Sequence, residues 1–296
     1  MKLLITIDVE QDCDTHWNRS DPPSFSSVTE GIPKLLRPIW NKYNIKPIYF
    51  VSPEVLHHSD SCRVLKEEIS KGAIIGAHLH GEYIEPGART AELAGKPSNE
   101  FPCLAYSTEV ELAKIKNLTD LIEQKLGLRP EWYRAARFGA DLDTMKSLKK
   151  LGYKYDSSVT PHIDWASHGG PDHRRAPEQP YWVLPVDLYT GTTQVDSLDL
   201  EEFPVTISGK RFGLFGRFLP DKWFLYHWLR PTIMFLGELR TLVCQVEKKF
   251  GKNATIVMMF HSMEIMVGKT PYVRNKWMQK RFLKTLTGIL EFISNK

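Results

Sequence analysis

Short runs of β-branched and aromatic residues alternate along this chain with longer segments of helical period, and this alternation limits the possible folds most strongly. It is typical of repeated βα units around a parallel sheet or barrel. Strands are predicted at Leu3 to Val9, Lys46 to Ser52, Ala73 to His80, Trp132 to Phe138, Tyr153 to Val159, Tyr181 to Leu188 and Thr255 to His261. Seven strands favour a barrel over a small open sheet, so we predict an α/β barrel.

Helices are predicted between these strands and at the end of the chain. They lie at Val28 to Tyr43, Ser61 to Lys71, Thr108 to Leu126, Leu142 to Leu151, Arg240 to Phe250 and Lys276 to Ser294. Gly72 and Gly152 follow helical segments directly, at the position where a left-handed residue ends a helix. Both glycines therefore mark helix ends before the next strand.

We predict a single catalytic domain over residues 1–296, with an aromatic-rich helical insertion near 212–243. The aromatic residues of this insertion include Trp223, Phe224, Tyr226, Trp228 and Phe235. A pair of helices packed on the barrel is the favoured interpretation, because polar residues interrupt the apolar run without forming a clean Lys/Arg face. A peripheral helix at a membrane surface is the alternative.

Composition and charge argue against several classes of protein. The formal net charge is +4, and the basic residues form no concentrated stripe of the kind a nucleic-acid binder shows. No apolar run approaches the roughly 18 residues of a membrane-spanning helix. Residues 1–8 enter a strand pattern directly, without signal-peptide features, so we expect a cytoplasmic protein. The four cysteines lack CxxC spacing, which argues against a thiolate zinc site or a disulfide framework.

Ionisable residues cluster where four of the predicted strands end. The clusters are Asp8-Val9-Glu10, His78-Leu79-His80, Arg134 with Arg137, and His261. In a barrel of βα units the carboxyl ends of the strands converge on one rim, so residues far apart in sequence meet there. The sequence therefore predicts one site at this rim.

Two of these clusters have the composition of a metal site. Asp8 and Glu10 place two carboxylates at a buried strand end, which is costly unless a metal or another cation compensates. His78 and His80 are two positions apart, so both imidazoles lie on the same side of an extended strand. Two histidines and one carboxylate form an open site for zinc or another divalent first-row ion. An acidic surface loop and a pair of structural histidines are the alternatives.

The other two clusters suit proton transfer and charge pairing. His261 follows an apolar run, and an imidazole with a pKa near neutrality suits a general acid, although a lone histidine there is more often structural. Arg134 or Arg137 can hold a base carboxylate ionised through a charge-assisted pair. Arg137 can instead bind an anionic part of the substrate.

Five segments of the chain together resemble a known family. They are Thr6-Ile7-Asp8-Val9-Glu10, Ile75-Gly76-Ala77-His78-Leu79-His80, Tyr133-Arg134-Ala135-Ala136-Arg137-Phe138-Gly139, Tyr155-Asp156-Ser157-Ser158 and Phe260-His261-Ser262. Their order resembles that of the five motifs of NodB-type polysaccharide deacetylases, over nearly the whole chain. The resemblance implies a distorted (β/α)7-type barrel. It also implies a metal-dependent hydrolase that removes an N-acetyl or other N-acyl group from an amino sugar in a glycan or glycan precursor.

The resemblance also implies roles for single residues. Asp8 would be the general base, and Arg134 would orient and tune it. His261 would be the general acid, and Asp156 would tune this histidine. The segment Arg137-Phe138-Gly139 would bind the substrate, a carbohydrate or sugar conjugate.

The same resemblance implies that Glu10, His78 and His80 hold a divalent metal, zinc first, with cobalt, nickel or manganese as alternatives. Two features depart from the family pattern. The common first motif has two adjacent aspartates, whereas Val9 stands between Asp8 and Glu10 here. The common histidines are four positions apart, whereas here they are two apart, and Glu82 occupies the later position. Asp12 is therefore an alternative ligand, and a metal-free site is an alternative overall.

Two other functions remain open on the same fold. One is an amide or imide hydrolase that acts on a small non-sugar molecule. The other is a catalytically inactive glycan-binding barrel, against which the joint presence of Asp8, Arg134 and His261 argues. Trp165 and Trp182 are candidates to stack on a sugar face, although a tryptophan near a strand is about as often part of the core.

Overall fold

The computed structural model describes residues 1–89, 95–96, 100–211 and 222–296. The strands of these residues are β1 (Lys2–Val9), β2 (Ile48–Val51), β3 (Ile74–Leu79), β4 (Trp132–Ala135), β5 (Tyr155–Asp156), β6 (Tyr181–Leu184), β7 (Asp187–Thr192), β8 (Glu201–Glu202), β9 (Ile207–Lys210), β10 (Tyr226–Trp228) and β11 (Thr255–His261). Nine of them form one curled sheet in the order β11-β1-β2-β3-β4-β5-β8-β6-β7. The predicted α/β barrel is therefore confirmed as a curled half-barrel.

The strands from β11 to β8 are parallel, and β6 and β7 extend the sheet as antiparallel strands. The prediction of one strand over Tyr181 to Leu188 is wrong, because the chain turns there and forms the β6–β7 hairpin. Pro185 lies at this turn, and a proline cannot donate to a strand ladder. The last parallel strand is β8 instead, whose two glutamates give no strand signal in the sequence.

The chain after β8 bridges the gap between the last parallel strand and β11. Thr206 N donates to Val257 O at 3.0 Å, and Val257 N donates to Thr206 Oγ1 at 2.8 Å. Leu229 N in turn donates to Thr206 O at 2.8 Å. One threonine thus connects the open side of the half-barrel to β11, which carries His261 at its end.

Helices cover the outside of the sheet. A π-type helix, Ser27–Leu36, continues into α1 (Arg37–Tyr43), and the α-helices that follow in the described residues are α2 (Pro53–Leu56), α3 (Ser59–Ser70), α4 (Pro102–Ala105), α5 (Thr108–Leu126), α6 (Leu142–Lys150), α7 (Leu236–Phe250) and α8 (Lys276–Ser294). All six predicted helices are confirmed. Gly72 and Gly152 have φ of +90° and +84°, as the predicted helix ends require. Within the described part of the chain, no helix is long and apolar enough to cross a bilayer.

The aromatic-rich segment near 212–243 differs from the predicted helical insertion. Residues 212–221 lie outside the described residues, and the segment after them forms a single 3-10 turn and then β10, which pairs with β9. Tyr226 and Trp228 are buried and His227 between them is half-buried, which is the period-two pattern of a strand. A helix begins only at Leu236, so the predicted pair of helices is wrong for the described part.

Candidate active site

The register of the parallel strands brings the predicted site residues together at one rim. Asp8 at the end of β1 lies opposite His261 at the end of β11, and His78 in β3 lies opposite Arg134 in β4. A cavity of about 490 Å³ opens at this rim, and Asp8, Glu10, His78, His80 and His261 line it. The convergence of the strand ends predicted from the sequence is therefore present in the structure.

Asp8 is held by a buried arginine. Arg134 Nη1 donates to Asp8 Oδ1 at 2.8 Å, and its other nitrogens donate to Thr6 Oγ1 at 3.0 Å and Ser157 O at 2.8 Å. Burial disfavours the charged form of Asp8, but the positive charges of Arg134 and nearby histidines outweigh it and lower the pKa of this carboxyl. Asp8 therefore stays ionised, with Oδ2 at 3.9 Å from His261 Nε2.

Glu10, His78 in β3 and His80 directly after β3 converge on one point. Glu10 Oε1 is 3.1 Å from His78 Nε2 and 3.3 Å from His80 Nε2. One ligand atom of each residue lies within 4.8 Å of the other two, and two imidazoles with one carboxylate are a donor set that suits zinc and other first-row ions. A second group with this property consists of Asp8, Glu10 and His261, so Glu10 belongs to both.

Hydrogen bonds to the far side of the His78 and His80 rings favour the first group as a metal site. His78 Nδ1 is 2.9 Å from Arg134 O, and because a carbonyl only accepts, this nitrogen must carry the proton. A neutral His78 ring then presents the lone pair of Nε2 to the cavity. His80 Nδ1 is 3.1 Å from Glu82 Oε1, the carboxylate–histidine arrangement found behind metal ligands.

The carboxylates around His80 attract a positive charge. Burial disfavours the charged ring, but Glu10 and Glu82 outweigh it and raise the pKa of His80 to about 10. The negative charges of Glu10 and Glu82 would equally favour a divalent ion bound to His80 in place of that ring's second proton. The residues present therefore fit a bound metal.

Glu82 occupies the position at which the family pattern has its later histidine. Its carboxylate contacts Nδ1 of His80, on the side of that ring away from Glu10, and is not one of the candidate ligands. Its Oε1 also accepts from Arg19 Nη2 at 2.6 Å. The Arg19 guanidinium lies 4.2 Å from the centre of the Tyr83 ring. Sequence reasoning missed the roles of both Glu82 and Arg19, and no motif marks Arg19.

Asp12, the alternative ligand, accepts hydrogen bonds from a neighbouring loop instead of facing the candidate metal site. Its Oδ2 accepts from Ser24 Oγ at 2.7 Å and from Ser26 N at 2.9 Å, and its Oδ1 accepts from Ser27 N at 3.2 Å. Asp12 therefore anchors the loop before the π-type helix and belongs to neither candidate ligand group. Glu10 is the acidic ligand that the geometry favours.

His261 pairs with a carboxylate that the family resemblance did not point to. His261 Nδ1 is 2.8 Å from Glu264 Oε1, and Arg230 and Thr232 donate to the same carboxylate. Burial disfavours the charged His261 ring, but the hydrogen bond to Glu264 and the charge of Glu10 outweigh it and raise its pKa. Burial likewise disfavours ionised Glu264, but the Arg230 charge outweighs it, and the pKa of Glu264 falls to about 2. The three-residue spacing of His261 and Glu264 was the available sequence signal.

Asp156, which was expected to tune His261, supports a different part of the site. Its carboxylate accepts from Ser158 N at 2.9 Å and from Ser158 Oγ at 2.8 Å. Ser158 Oγ in turn accepts from Ala135 N at 2.9 Å. The predicted role of Asp156 is therefore corrected, because its side chain braces the end of β4 while Glu264 holds the histidine.

Two residues of the predicted substrate-binding segment Arg137-Phe138-Gly139 line the cavity, and the third does not. Arg137 and Phe138 line the cavity, with φ of +55° and +61°, and such left-handed backbone in non-glycine residues is concentrated at functional sites. Gly139 packs against Phe101 instead, where an added Cβ would lie 2.9 Å from the Phe101 backbone. The structure thus places the first two residues at the cavity and the third behind it.

Aromatic rings form much of the rest of the cavity. Trp165 stacks with Phe138 at 6.2 Å between ring centres, and Trp223 lies 6.5 Å from Trp165 and 6.0 Å from Trp228. On the other side, the Trp17 ring lies 5.9 Å from that of His261. Trp182, the other tryptophan considered from the sequence, lies in β6 and is not among the residues that line the cavity.

We expect Glu82→Gln to weaken metal binding by about 10-fold to 100-fold, the usual cost of losing the group behind a histidine ligand. The amide cannot supply the negative charge that draws a cation to His80. Competition with a chromophoric chelator measures the affinity, and Glu85→Gln, an exposed change in the same loop, is the matched control. An unchanged affinity in Glu82→Gln would show that His80 does not bind the ion.

Neither the protein-family models nor the curated proteins give a match to this sequence. Solved structures do match it. One, assigned as a polysaccharide deacetylase from Mycobacterium smegmatis, is 16% identical with a TM-score of 0.55, and the match covers 99% of this chain and 82% of that one.

Two further structures match with TM-scores of 0.52 and 11% identity. One is assigned as a polysaccharide deacetylase from Pseudomonas aeruginosa PAO1, with 100% of this chain and 85% of that one covered. The other is an allantoinase, with 100% and 84% covered. The chain therefore has the fold of the polysaccharide deacetylases, which confirms at the level of the fold the resemblance seen in the ordered motifs.

Proposed function

We propose that this chain is a metal-dependent hydrolase that removes an N-acetyl or other N-acyl group from an amino sugar in a glycan or glycan precursor. The observation that carries the proposal is the presence of two groups of residues in one cavity. Glu10, His78 and His80 can bind a metal, and Asp8 and His261 beside them can transfer protons. Amide hydrolysis needs both functions within reach of one carbonyl.

Glu10, His78 and His80 would hold the divalent ion, with zinc as the first choice and cobalt, nickel or manganese as alternatives. When bound, the ion supplies a Lewis acid for the acyl carbonyl and lowers the pKa of a water molecule. The chain itself contributes the orientation of both rings, through Arg134 O behind His78 and Glu82 behind His80. These partners fix which ring nitrogen faces the ion.

Asp8 is the proposed base. Its ion pair with Arg134 keeps it ionised, and Oδ2 can accept the proton of the attacking water. His261 is the proposed acid, because the hydrogen bond to Glu264 and the charge of Glu10 raise its pKa, which favours a protonated ring whose Nε2 can donate to the departing amine. Glu264 positions the ring by accepting from Nδ1.

A backbone N–H near the end of β4 is the proposed donor to the oxyanion. Two amides of this region are already used, because Ala135 N donates to Ser158 Oγ and Gly139 N donates to Ala136 O. The proposed donor belongs to the same segment, which forms the cavity wall at Arg137 and Phe138. A donor held in place before the reaction stabilises the developing charge without reorganisation.

The lining of the cavity supports a sugar as the substrate. Trp165, Trp223 and Trp228 offer aromatic faces, and aromatic rings combine a large apolar surface with a polar edge that suits amphipathic ligands such as sugars. Arg137 at the cavity wall would bind an anionic or hydroxyl group of the same molecule. Finished polymers, lipid-linked intermediates and nucleotide sugars all present such features.

Metal removal tests the proposal directly. We expect the purified protein to release acetate from at least one class of N-acetylated sugar, nucleotide sugar or lipid-linked sugar. Activity should fall at least tenfold after dialysis against a chelator and return on addition of zinc or cobalt, because the carbonyl is then polarised again. Full activity in protein shown by elemental analysis to hold no metal would contradict metal dependence.

A non-sugar amide or imide hydrolase is the second candidate, favoured by the match of the whole chain to an allantoinase. Including cyclic ureides and imides in the same screen separates the two candidates, because a sugar deacylase leaves them intact. A catalytically inactive glycan-binding barrel is disfavoured, since the Asp8–Arg134 pair and His261 lie together in the cavity.

A further inference from the structure

A stretch near the end of the chain carries positive charges and no negative ones. Residues 265–290 contain no Asp or Glu, and they contain six cationic residues, Lys269, Arg274, Lys276, Lys280, Arg281 and Lys284. Four of these, Arg274, Lys276, Lys280 and Lys284, are exposed. This stretch includes the first three quarters of α8 and therefore places its positive charge on one helix and the loop before it.

The position of these cations is unfavourable for the isolated protein. Lys276 and Lys280 lie in the first turns of α8, which have no acidic residue, and the amino end of a helix already carries a partial positive charge. Within the described ranges, Lys276, Lys280 and Lys284 form no ion pair. A negatively charged partner outside the chain would remove this imbalance.

Two large aromatic side chains are exposed on the same surface. Trp277 is 68% exposed and Phe235 is 58% exposed. Arg281, one turn after Trp277 in α8, links this helix to the segment of Phe235, because its guanidinium lies 5.3 Å from the centre of the Phe235 ring and donates to Thr232 O at 2.6 Å. Exposed tryptophan and phenylalanine beside lysine and arginine are typical of surfaces that rest in the headgroup region of a membrane.

The chain leads directly from the cavity to this surface at two places. Tyr272 and Arg230 both line the cavity, and the Tyr272 ring lies 5.2 Å from the Arg230 guanidinium. Trp277 follows Tyr272 by five residues, and Phe235 follows Arg230 by five residues. A partner in contact with Trp277 and Phe235 would therefore touch the two segments that leave the cavity wall.

We propose that the α8 face, defined as residues 274–284 with Phe235, docks on a bilayer surface that carries anionic phospholipid. The cations attract the lipid phosphates, and the two aromatic rings enter the headgroup layer. An anionic soluble partner would explain the charge but not the exposed rings. The proposal does not depend on the hydrolysis proposed above, because it concerns residues outside the catalytic cavity.

Sedimentation with vesicles tests the proposal on the full chain. We expect the protein to bind vesicles of phosphatidylglycerol in phosphatidylcholine and to be released by high salt. The double charge reversal Lys276→Glu with Lys280→Glu should weaken binding at least tenfold, and Trp277→Ala about tenfold. The matched control is Lys146→Glu with Lys150→Glu, an exposed pair with the same spacing on α6, and it should bind like the wild type.

Circular dichroism melts would first show that the variants fold, and all changed side chains are exposed. The proposal is overturned if the wild type does not sediment with anionic vesicles, or sediments equally with pure phosphatidylcholine. It is also overturned if both α6 and α8 reversals weaken binding alike, which would mean that only net charge matters. A wild-type dimer that Trp277→Ala dissociates in analytical ultracentrifugation would assign the surface to a second copy instead.

Discussion

Replacing Asp8 by asparagine is expected to lower kcat by about 10²–10⁴-fold, the range that a general base contributes. The amide keeps an oxygen that can accept from Arg134 Nη1, so the contact at 2.8 Å can persist while proton uptake is lost. Arg134 also donates to Ser157 and Thr6, and these bonds help to hold the buried guanidinium in place. We therefore expect the fold and the metal content to be retained.

Acetate release, elemental analysis and a thermal melt together measure this outcome. Asp14→Asn, an exposed change in the loop after β1, is the matched control and should keep wild-type turnover. Wild-type turnover in Asp8→Asn would reject Asp8 as the base. Loss of metal from this variant would point to the second ligand group, in which Asp8 itself would bind the ion with Glu10 and His261.

His80, directly after β3, and His261, at the end of β11, both face Glu10 and are supported in the same way. His80 is backed by Glu82 and then Arg19, and His261 is backed by Glu264 and then Arg230. In both cases the carboxylate orients the ring, and the arginine forms an ion pair with that carboxylate inside a buried site. The negative charges of Glu82 and Glu264 beside the cavity are thus each balanced by the positive charge of an arginine.

The elements with a strong local signal could be predicted from the sequence. The bounds of α5, α8 and β11 agree with the predictions residue by residue, because an apolar helical period defines the two helices and a continuous apolar run defines the strand. The site at the rim was also predictable, since parallel strands in a βα barrel end on one side. Asp8, Glu10, His78, His80 and His261 could be assigned to it on that argument alone.

Arg134 behind Asp8 was predicted from the motifs, but the groups behind His80 and His261 were not, because their roles depend on tertiary contacts. Arg19 and Arg230 carry no motif, and the positions of Glu82 and Glu264 in the sequence do not show which ring each contacts. The role of Asp156 came from the order of the motifs, and that order does not determine which side chain contacts His261. Its neighbour Ser158 took the hydrogen bonds instead.

Replacing His78 by alanine is expected to remove the metal as well as the activity. A ligand is lost outright, so metal affinity should fall by more than the roughly 10-fold to 100-fold that follows loss of a group behind a ligand. Acetate release should fall to background, because neither Asp8 nor His261 replaces the Lewis acid. Elemental analysis after gel filtration measures the metal, and His57→Ala, an exposed change at the end of α2, is the matched control.

The comparison of His78→Ala with Asp8→Asn decides between the two ligand groups that share Glu10. If the ion binds to Glu10, His78 and His80, the histidine variant loses metal and the aspartate variant keeps it. If it binds to Asp8, Glu10 and His261, the two results are reversed. The hydrogen bond from His78 Nδ1 to Arg134 O at 2.9 Å favours the first result, because it orients the ring so that Nε2 lies 3.1 Å from Glu10 Oε1, where a cation can displace the proton between the two atoms.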